Sequence, residues 1–431
     1  MRSKSRLISS CAAAALTVAA LLVLCAFDWP RWRGPDGNGV SKETEWNPTV
    51  LSKGRLLWKT SVGRGYSNIA VLNGRIYGVG VHATTLQAFC LDAETGRVIW
   101  THEEDGLSMP VEVNATPTVD ADGVYLLDTE GTILSLNPGD GTLQWKKDLL
   151  ADFGGVAPEY GFSSSPVVVG DLLVLTYNTS GIALNRKTGA KAWLSEKPAL
   201  PSNTAPCGRM GIAYSTPVVY EKKGKKYAVV CSWKGIHSVE AATGNVLWKY
   251  DWREVYKVAQ IADPIYFDDR LFIVQYWGQG YEDLGAALLD VGGKTPRVLW
   301  RENSTCSNTS SPVMIGGNFY VCWRGTDYYV SPAAGSLRCL DGATGAMLWE
   351  EPLDKRPISM TAADGKLIIL SDKGLLYIAE ASPKGYKEIS RYDVKAGGKT
   401  FRQFFTPPVL CNGRLYVKNG NGQIRCLDLG V

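Results

Sequence analysis

The sequence predicts an all-β chain, an eight-bladed β-propeller of four-stranded antiparallel blades, closed into a ring by an N-terminal strand that joins the C-terminal blade. Three observations predict it. Seven tryptophans, Trp58, Trp100, Trp145, Trp193, Trp248, Trp300 and Trp349, recur at intervals of 42 to 55 residues, which is the period of a propeller blade. Five of them follow a Gly by four positions, as in Thr95-Gly96 before Trp100 and Thr344-Gly345 before Trp349. There an upstream Asp or Asn and the Thr bond the turn backbone, and Gly supplies the positive φ of a hairpin. Finally, a Ser/Thr/Asp-Pro pair precedes an apolar run in most units: Thr116-Pro117, Ser165-Pro166, Thr216-Pro217, Asp263-Pro264, Ser311-Pro312 and Thr406-Pro407. Proline is tolerated at the start of a strand, where its missing N–H breaks no ladder.

Taken along the chain, residues 1–26 read as an export signal. Arg2, Lys4 and Arg6 precede an apolar stretch from Leu7 to Ala26, and Leu24-Cys25-Ala26 offers a cleavage site. The apolar run is also long enough to span a bilayer, so a retained anchor is the rival expectation. Residues 27–53 form a lead segment opening on Trp29-Pro30-Arg31-Trp32-Arg33-Gly34-Pro35. The propeller is expected over 54–431. Six units end at Trp100, Trp145, Trp193, Trp248, Trp300 and Trp349; the seventh, Ile358 to Val394, lacks the tryptophan and is expected to use Tyr392 in its place. The eighth, Thr406 to Leu429, stops without an outermost strand. Arg55 to Thr60, around Trp58, has the character of such a strand with no blade before it. Pairing the two removes two exposed edges.

Composition narrows the function. Without the three basic residues of the export segment, 43 basic side chains face 42 acidic ones, which gives no electrostatic case for nucleic acid. Gly292-Gly293-Lys294-Thr295 and Gly397-Gly398-Lys399-Thr400 imitate the end of a phosphate loop, but Leu288 and Asp393 stand where its first glycine belongs. Gly78-Val79-Gly80 lies inside a blade with no helix to follow and reads as tight packing. His82, His102 and His237 lack ligand spacing, and no nucleophile elbow occurs. Lys222-Lys223-Gly224-Lys225-Lys226 reads as a solvated turn. Cys90, Cys339 and Cys426 share one slot before Leu-Asp and are expected as small buried residues. No bridge is expected between Cys322 and Cys339, whereas Cys207 and Cys306 are loop residues able to pair across the channel.

The unit from Ser164 to Trp193, SSPVVVGDLLVLTYNTSGIALNRKTGAKAW, resembles the tryptophan-docking repeat of quinoprotein dehydrogenases and of the pyrroloquinoline-quinone-like, BamB-like propellers of bacterial envelopes. The likeness extends over essentially the whole chain after the export segment. In the dehydrogenases, the resemblance implies a quinone in the central channel beside a vicinal disulfide, a calcium ion and a catalytic acid. The ten cysteines of this chain include no adjacent pair, and no C-x-x-C-H stretch exists for a haem. No cofactor, no metal ligand set and no catalytic residue is therefore expected.

One constellation remains. Loops between second and third strands emerge on the same face as the long interblade loops. There stand Ser232-Trp233-Lys234-Gly235, Tyr276-Trp277-Gly278 and Cys322-Trp323-Arg324-Gly325, at the ends of three successive second strands. Trp233, Lys234, Trp277, Trp323 and Arg324 make a candidate rim for a protein or peptide partner; the alternative is that the indoles pack between blades. Arg209, Glu159 and Asp263 lie at inner strands and can point into the channel mouth or bond loop backbone instead. The expected function is a non-catalytic exported scaffold of the cell envelope, monomeric, with an envelope protein or peptide as partner and membrane attachment through residues 7–26 if these are retained. The alternatives are a quinoprotein dehydrogenase-like protein that binds pyrroloquinoline quinone with calcium in the channel, and a carbohydrate-binding propeller.

Overall fold

The computed structural model describes residues 27–107, 112–158, 160–178, 180–197, 214–232, 235–251, 262–274, 285–307, 310–323, 335–394 and 404–430. They form eight antiparallel blades. Blade 1 comprises Ala70–Leu72, Arg75–His82, Thr85–Asp92 and Val98–Glu104, and six further blades repeat its up-and-down order. Blade 8 contributes Val409–Cys411, Arg414–Lys418 and Gln423–Asp428, and takes its outermost strand, Leu56–Ser61, from the N-terminal end of the chain. Trp58 lies opposite Cys426 and Thr60 opposite Ile424. The ring therefore closes as the repeat arithmetic requires.

No blade buries both faces by itself. The apolar residues assort into eight clusters, each shared by two neighbouring blades. One joins Tyr77, Val79 and Trp100 of blade 1 to Val124, Leu126 and Leu134 of blade 2. Six of the seven repeat tryptophans rivet these interfaces from the outside. Trp100 Nε1 donates to Pro138 O of the next blade at 3.1 Å, Trp145 to Arg186 O at 2.9 Å, and Trp193 to Ala241 O at 2.8 Å. Trp58, Trp300 and Trp349 do the same to Ala93, Gly342 and Ser382. Five of these indoles, Trp58, Trp100, Trp145, Trp193 and Trp300, lie against the glycine of the turn whose carbonyl they bind, which explains the Thr-Gly signature. Gly141 has φ +76°, and a Cβ there would stand 2.5 Å from the Trp100 ring. The aspartate at the head of the turn acts as expected: Asp92 Oδ1 accepts from the N–H groups of Glu94 and Thr95 and from the Thr95 hydroxyl.

Blade 7 departs from the expectation. In its neighbours the tryptophan follows a bulged residue on the outermost strand. The corresponding register position here is Ser390, opposite Ile378, with Tyr392 two residues further on. The interface is filled instead from the lead segment. Ser390 Oγ donates to Pro48 O at 2.5 Å. The 3-10 turn Pro48–Lys53 lays Val50 and Leu51, with Trp46, into the cluster shared by blades 7 and 8. Tyr392 packs over Gly54, the left-handed cap of that turn. A transplanted turn replaces the missing indole.

The seven described cysteines are buried and free. Cys90, Cys339 and Cys426 are buried directly across the ladder from Trp100, Trp349 and Trp58. Cys322 pairs with Leu337 and Cys339 with Tyr320, and both thiols are free. Cys306 is likewise buried and free; Cys207 lies outside the described residues.

The docking geometry predicts a graded response. Trp100→Ala should cost about 3–5 kcal/mol in urea unfolding, the usual range for deleting a buried indole. Gly170 also has positive φ but nothing within 4 Å of an added Cβ, so Gly170→Ala should cost only about 1 kcal/mol. Gly141→Ala should cost at least twice as much as Gly170→Ala. Equal effects at the two glycines would contradict the close approach of the indole.

Candidate functional site

A proline at the mouth of an inner strand holds the preceding residue extended, and that residue's buried N–H needs a partner. The next blade supplies it. Asn68, which precedes Ile69 and not a proline, starts the series by donating from its N–H to Thr116 Oγ1 at 3.0 Å; Thr116 then donates to Ser165 Oγ at 2.9 Å, and Ser165 to Thr216 Oγ1 at 3.1 Å. Thr216 donates to Asp263 Oδ1 at 2.7 Å, and Asp263 N–H to Ser311 Oγ at 2.9 Å. The hydroxyls and one carboxylate of the Ser/Thr/Asp-Pro pairs thus form a hoop around the channel through blades 1 to 6. Asn68 Nδ2 extends it to Pro407 O of blade 8.

Asp263 is the charged member of the hoop and is 3% exposed. Its second oxygen accepts from Trp32 Nε1 at 2.5 Å and from Ser311 Oγ at 3.1 Å, with Arg33 Nη1 at 3.8 Å. Burial leaves this carboxyl raised above the usual aspartate range, opposed in part by Arg33 and by the donors from Trp32, Thr216 and Ser311, and donors engage both of its oxygens as acceptors. Arg33, itself buried, also donates to Asn38 O at 2.8 Å and to Pro312 O.

Of the rim residues, Trp323 alone is described; Trp233, Lys234, Trp277 and Arg324 lie outside the described residues, as do Arg209 and Glu159. Trp323 ends the second strand of blade 6, half-buried. Its ring stacks on the guanidinium of Arg338 from the adjoining strand, 3.9 Å from the centroid. Arg338 pairs with Glu350 at 3.0 Å and donates to Ser304 O at 2.5 Å. This cation–π contact secures the foot of the loop-bearing face on blade 6.

Two further features escaped the sequence reading. Lys418, at the end of the second strand of blade 8, is 3% exposed and donates from Nζ to Gly65 O at 2.6 Å. Burial lowers its ammonium to about 7 against the opposing charge of Glu112. An isolated Lys at a strand end carries no signal of burial. Arg33 and Trp32 were visible only as part of the lead segment opening Trp-Pro-Arg-Trp-Arg-Gly-Pro, with no role for either side chain. Conversely, two features set aside as turns come together: Lys222, Lys223 and Tyr227 share a shallow surface pocket with Gly292 to Lys294. There Lys222 is neutralised by Asp269 at 2.9 Å.

Among the described residues, no group of three or more His, Cys, Asp or Glu side chains is placed to hold a metal ion. Burial pushes the thiols of Cys90, Cys231, Cys306, Cys322 and Cys426 up to about 12, so they are protonated and unreactive at neutral pH.

Comparison with known proteins places this arrangement. The family described as outer membrane protein assembly factor BamB matches residues 48–216 and 232–430. The BamB of Yersinia pestis is 23% identical over 365 residues, covering 81% of this chain and 83% of that protein. A quinoprotein ethanol dehydrogenase of Pseudomonas putida is 26% identical over 209 residues, 42% of this chain and 32% of the dehydrogenase. The solved structure of a europium-containing methanol dehydrogenase superposes with a TM-score of 0.65 at 14% identity, covering 91% of this chain and 89% of that one; this is a likeness of fold.

Lys418 yields a pH prediction. Between about 7 and the ordinary lysine value of 10.5, the unfolded chain holds a proton that the folded chain has released, so this group makes stability rise with pH. The buried cysteines act oppositely from about pH 9 upward. The stability of Lys418→Met minus that of wild type, from urea midpoints at pH 6 to 9, should therefore shrink as pH rises through 7. A constant gap would mean that Lys418 keeps an ordinary pKa.

Proposed function

This chain belongs to the family of outer membrane protein assembly factor BamB, and from that premise we propose that it is a non-catalytic, exported β-propeller serving as a binding and assembly scaffold in the bacterial cell envelope. The observation that carries this reading is the extent of the family match, which runs through both halves of the ring. The composition supports it: near-neutral charge after the export segment, no adjacent cysteines, and no C-x-x-C-H stretch. The partner is an envelope protein or peptide. It is received on the loop-rich face by Trp233, Lys234, Trp277, Trp323 and Arg324, with Arg209 and Glu159 at the channel mouth. No helix among the described residues is long and apolar enough to cross a membrane; attachment, in this reading, runs through residues 7–26.

The second reading, a quinone-binding channel, draws on the similarity to the ethanol dehydrogenase. One feature speaks against it. The hoop carboxylate of Asp263 has both oxygens engaged and faces a guanidinium, which leaves it unable to join a calcium donor set. A carbohydrate-binding rim predicts glycan affinity without turnover.

Reconstitution discriminates among these. Incubation with pyrroloquinoline quinone and calcium should give no stoichiometric complex in the visible spectrum and no dye reduction with alcohols or sugars. A complex that turns over a donor would replace the scaffold reading. A photocrosslinking residue at position 277 should trap a discrete envelope protein in the native cell, and one at the outward turn position 170 should not. Equal labelling from the two positions would remove the loop-rich face as the partner surface.

A further inference from the structure

The lead segment crosses the ring. Trp29 pairs with Val71 of blade 1 through N–H···O bonds of 2.9 and 2.8 Å, and Pro30 O accepts from Val119 N–H of blade 2 at 2.9 Å. Two residues later, Trp32 and Arg33 are on Asp263 of blade 5, and Arg33 reaches Pro312 O of blade 6. Three peptide steps span at most about 11 Å, so the chain passes straight over the axis between blades on opposite sides of the ring. It then turns back. Arg33 and Gly34 both have positive φ, and a Cβ on Gly34 would lie 2.8 Å from the Trp29 ring. Gly39 N–H donates to Arg33 O, and Gly39 O accepts from Ala362 N–H, both at 2.9 Å. Val40 and Ser41 add a parallel strand to the innermost edge of blade 7, opposite Ala362 and Ala363. Ser41 Oγ reaches Leu410 O, and the buried Glu43 carboxylate accepts from Gly413 N–H of blade 8.

Every one of these partners lies on an innermost strand, just before one, or at its turn into the second strand. Val71, Val119, Ala362, Leu410 and Gly413 lie at the ends of innermost strands or at their turns, the mouth opposite the interblade loops, whereas Asp263 and Pro312 stand just before innermost strands, so Trp32 and Arg33 reach along the channel to the hoop. The contacts are those of a peptide in a binding site: main-chain pairing on a sheet edge, which is the mode by which extended peptides are captured, together with a buried Trp-Arg pair on a carboxylate. We propose that the turn-side mouth of the channel is a peptide-recognition site whose occupant is the chain's own segment 28–43, held as a plug by Trp32 and Arg33 on Asp263. The segment thus enters by the turn-side mouth, and its Trp32 and Arg33 side chains reach the hoop at the start of the inner strands of blades 5 and 6. This inference is independent of the scaffold reading, since it concerns the chain's own lead segment and not an external partner.

The test uses the full chain. In wild type, hydrogen exchange of the amides of Gly39, Val71, Val119 and Ala362 should be as slow as that of the second strands, and trypsin should spare Arg31 and Arg33. Asp263→Asn should raise cleavage at those two sites at least tenfold while far-UV circular dichroism is unchanged. A labelled synthetic peptide of residues 28–43 should bind the full-length double variant Trp32→Ala/Arg33→Ala, whose acceptor is vacated. It should bind at least tenfold more weakly to wild type, where the site is filled, and to the triple variant that adds Asp263→Asn. Fast exchange at the four amides in wild type, unchanged cleavage in Asp263→Asn, or equal peptide binding by all three proteins would each overturn the proposal. The exchange measurement needs no variant and decides the matter even where a substitution fails to fold.

Discussion

The structure rests on one constraint: a four-stranded blade is apolar on both faces and carries buried polar groups at its inner and outer ends, so only another blade can complete it. At the outer end the unsatisfied group is an indole N–H, answered by a turn carbonyl of the next blade. At the inner end it is the N–H of a residue held extended by the proline after it, answered by the next blade's hydroxyl or carboxylate. Both devices point the same way round the ring. A blade chain with free ends would leave one of each unmet and two sheet edges open, which is why Trp58, near the beginning of the propeller, is spent on the blade built last.

The same logic explains what fills the two irregular places. Blade 7 offers Ser390 where an indole should stand, and the deficit in apolar volume is met by Val50, Leu51 and Trp46 from the lead segment. The hoop offers a carboxylate where its other members have hydroxyls. A buried carboxylate needs more than one backbone N–H to satisfy its two oxygens, and the lead segment brings Arg33 and Trp32 to it. The region before the first blade is therefore integral to the ring, tied into it at the axis and at the blade 7–8 seam.

Among the described residues, the thiols are buried, the Asp263 carboxylate is paired, and two buried arginines do structural work, one under Trp323 and one beside Asp263. Binding through loops, on a rigid frame that spends its reactive groups on its own closure, is the division of labour that propellers commonly adopt.

What the sequence determined by itself is what repetition and local chemistry carry: eight units, the hairpin turns at Thr-Gly, the buried slot of Cys90, Cys339 and Cys426, and the closing strand around Trp58. These features recur with a period or follow from two or three adjacent residues, so a pattern reveals them. Only the tertiary structure decided the course of Trp29 to Glu43 across the axis, the meeting of Arg33 with Asp263, the substitution of a 3-10 turn for the tryptophan of blade 7, and the burial of Lys418. Each of these occurs once and joins residues far apart in the chain. A lone charged residue acquires its meaning from the group that folding places against it, and no periodicity announces that partner.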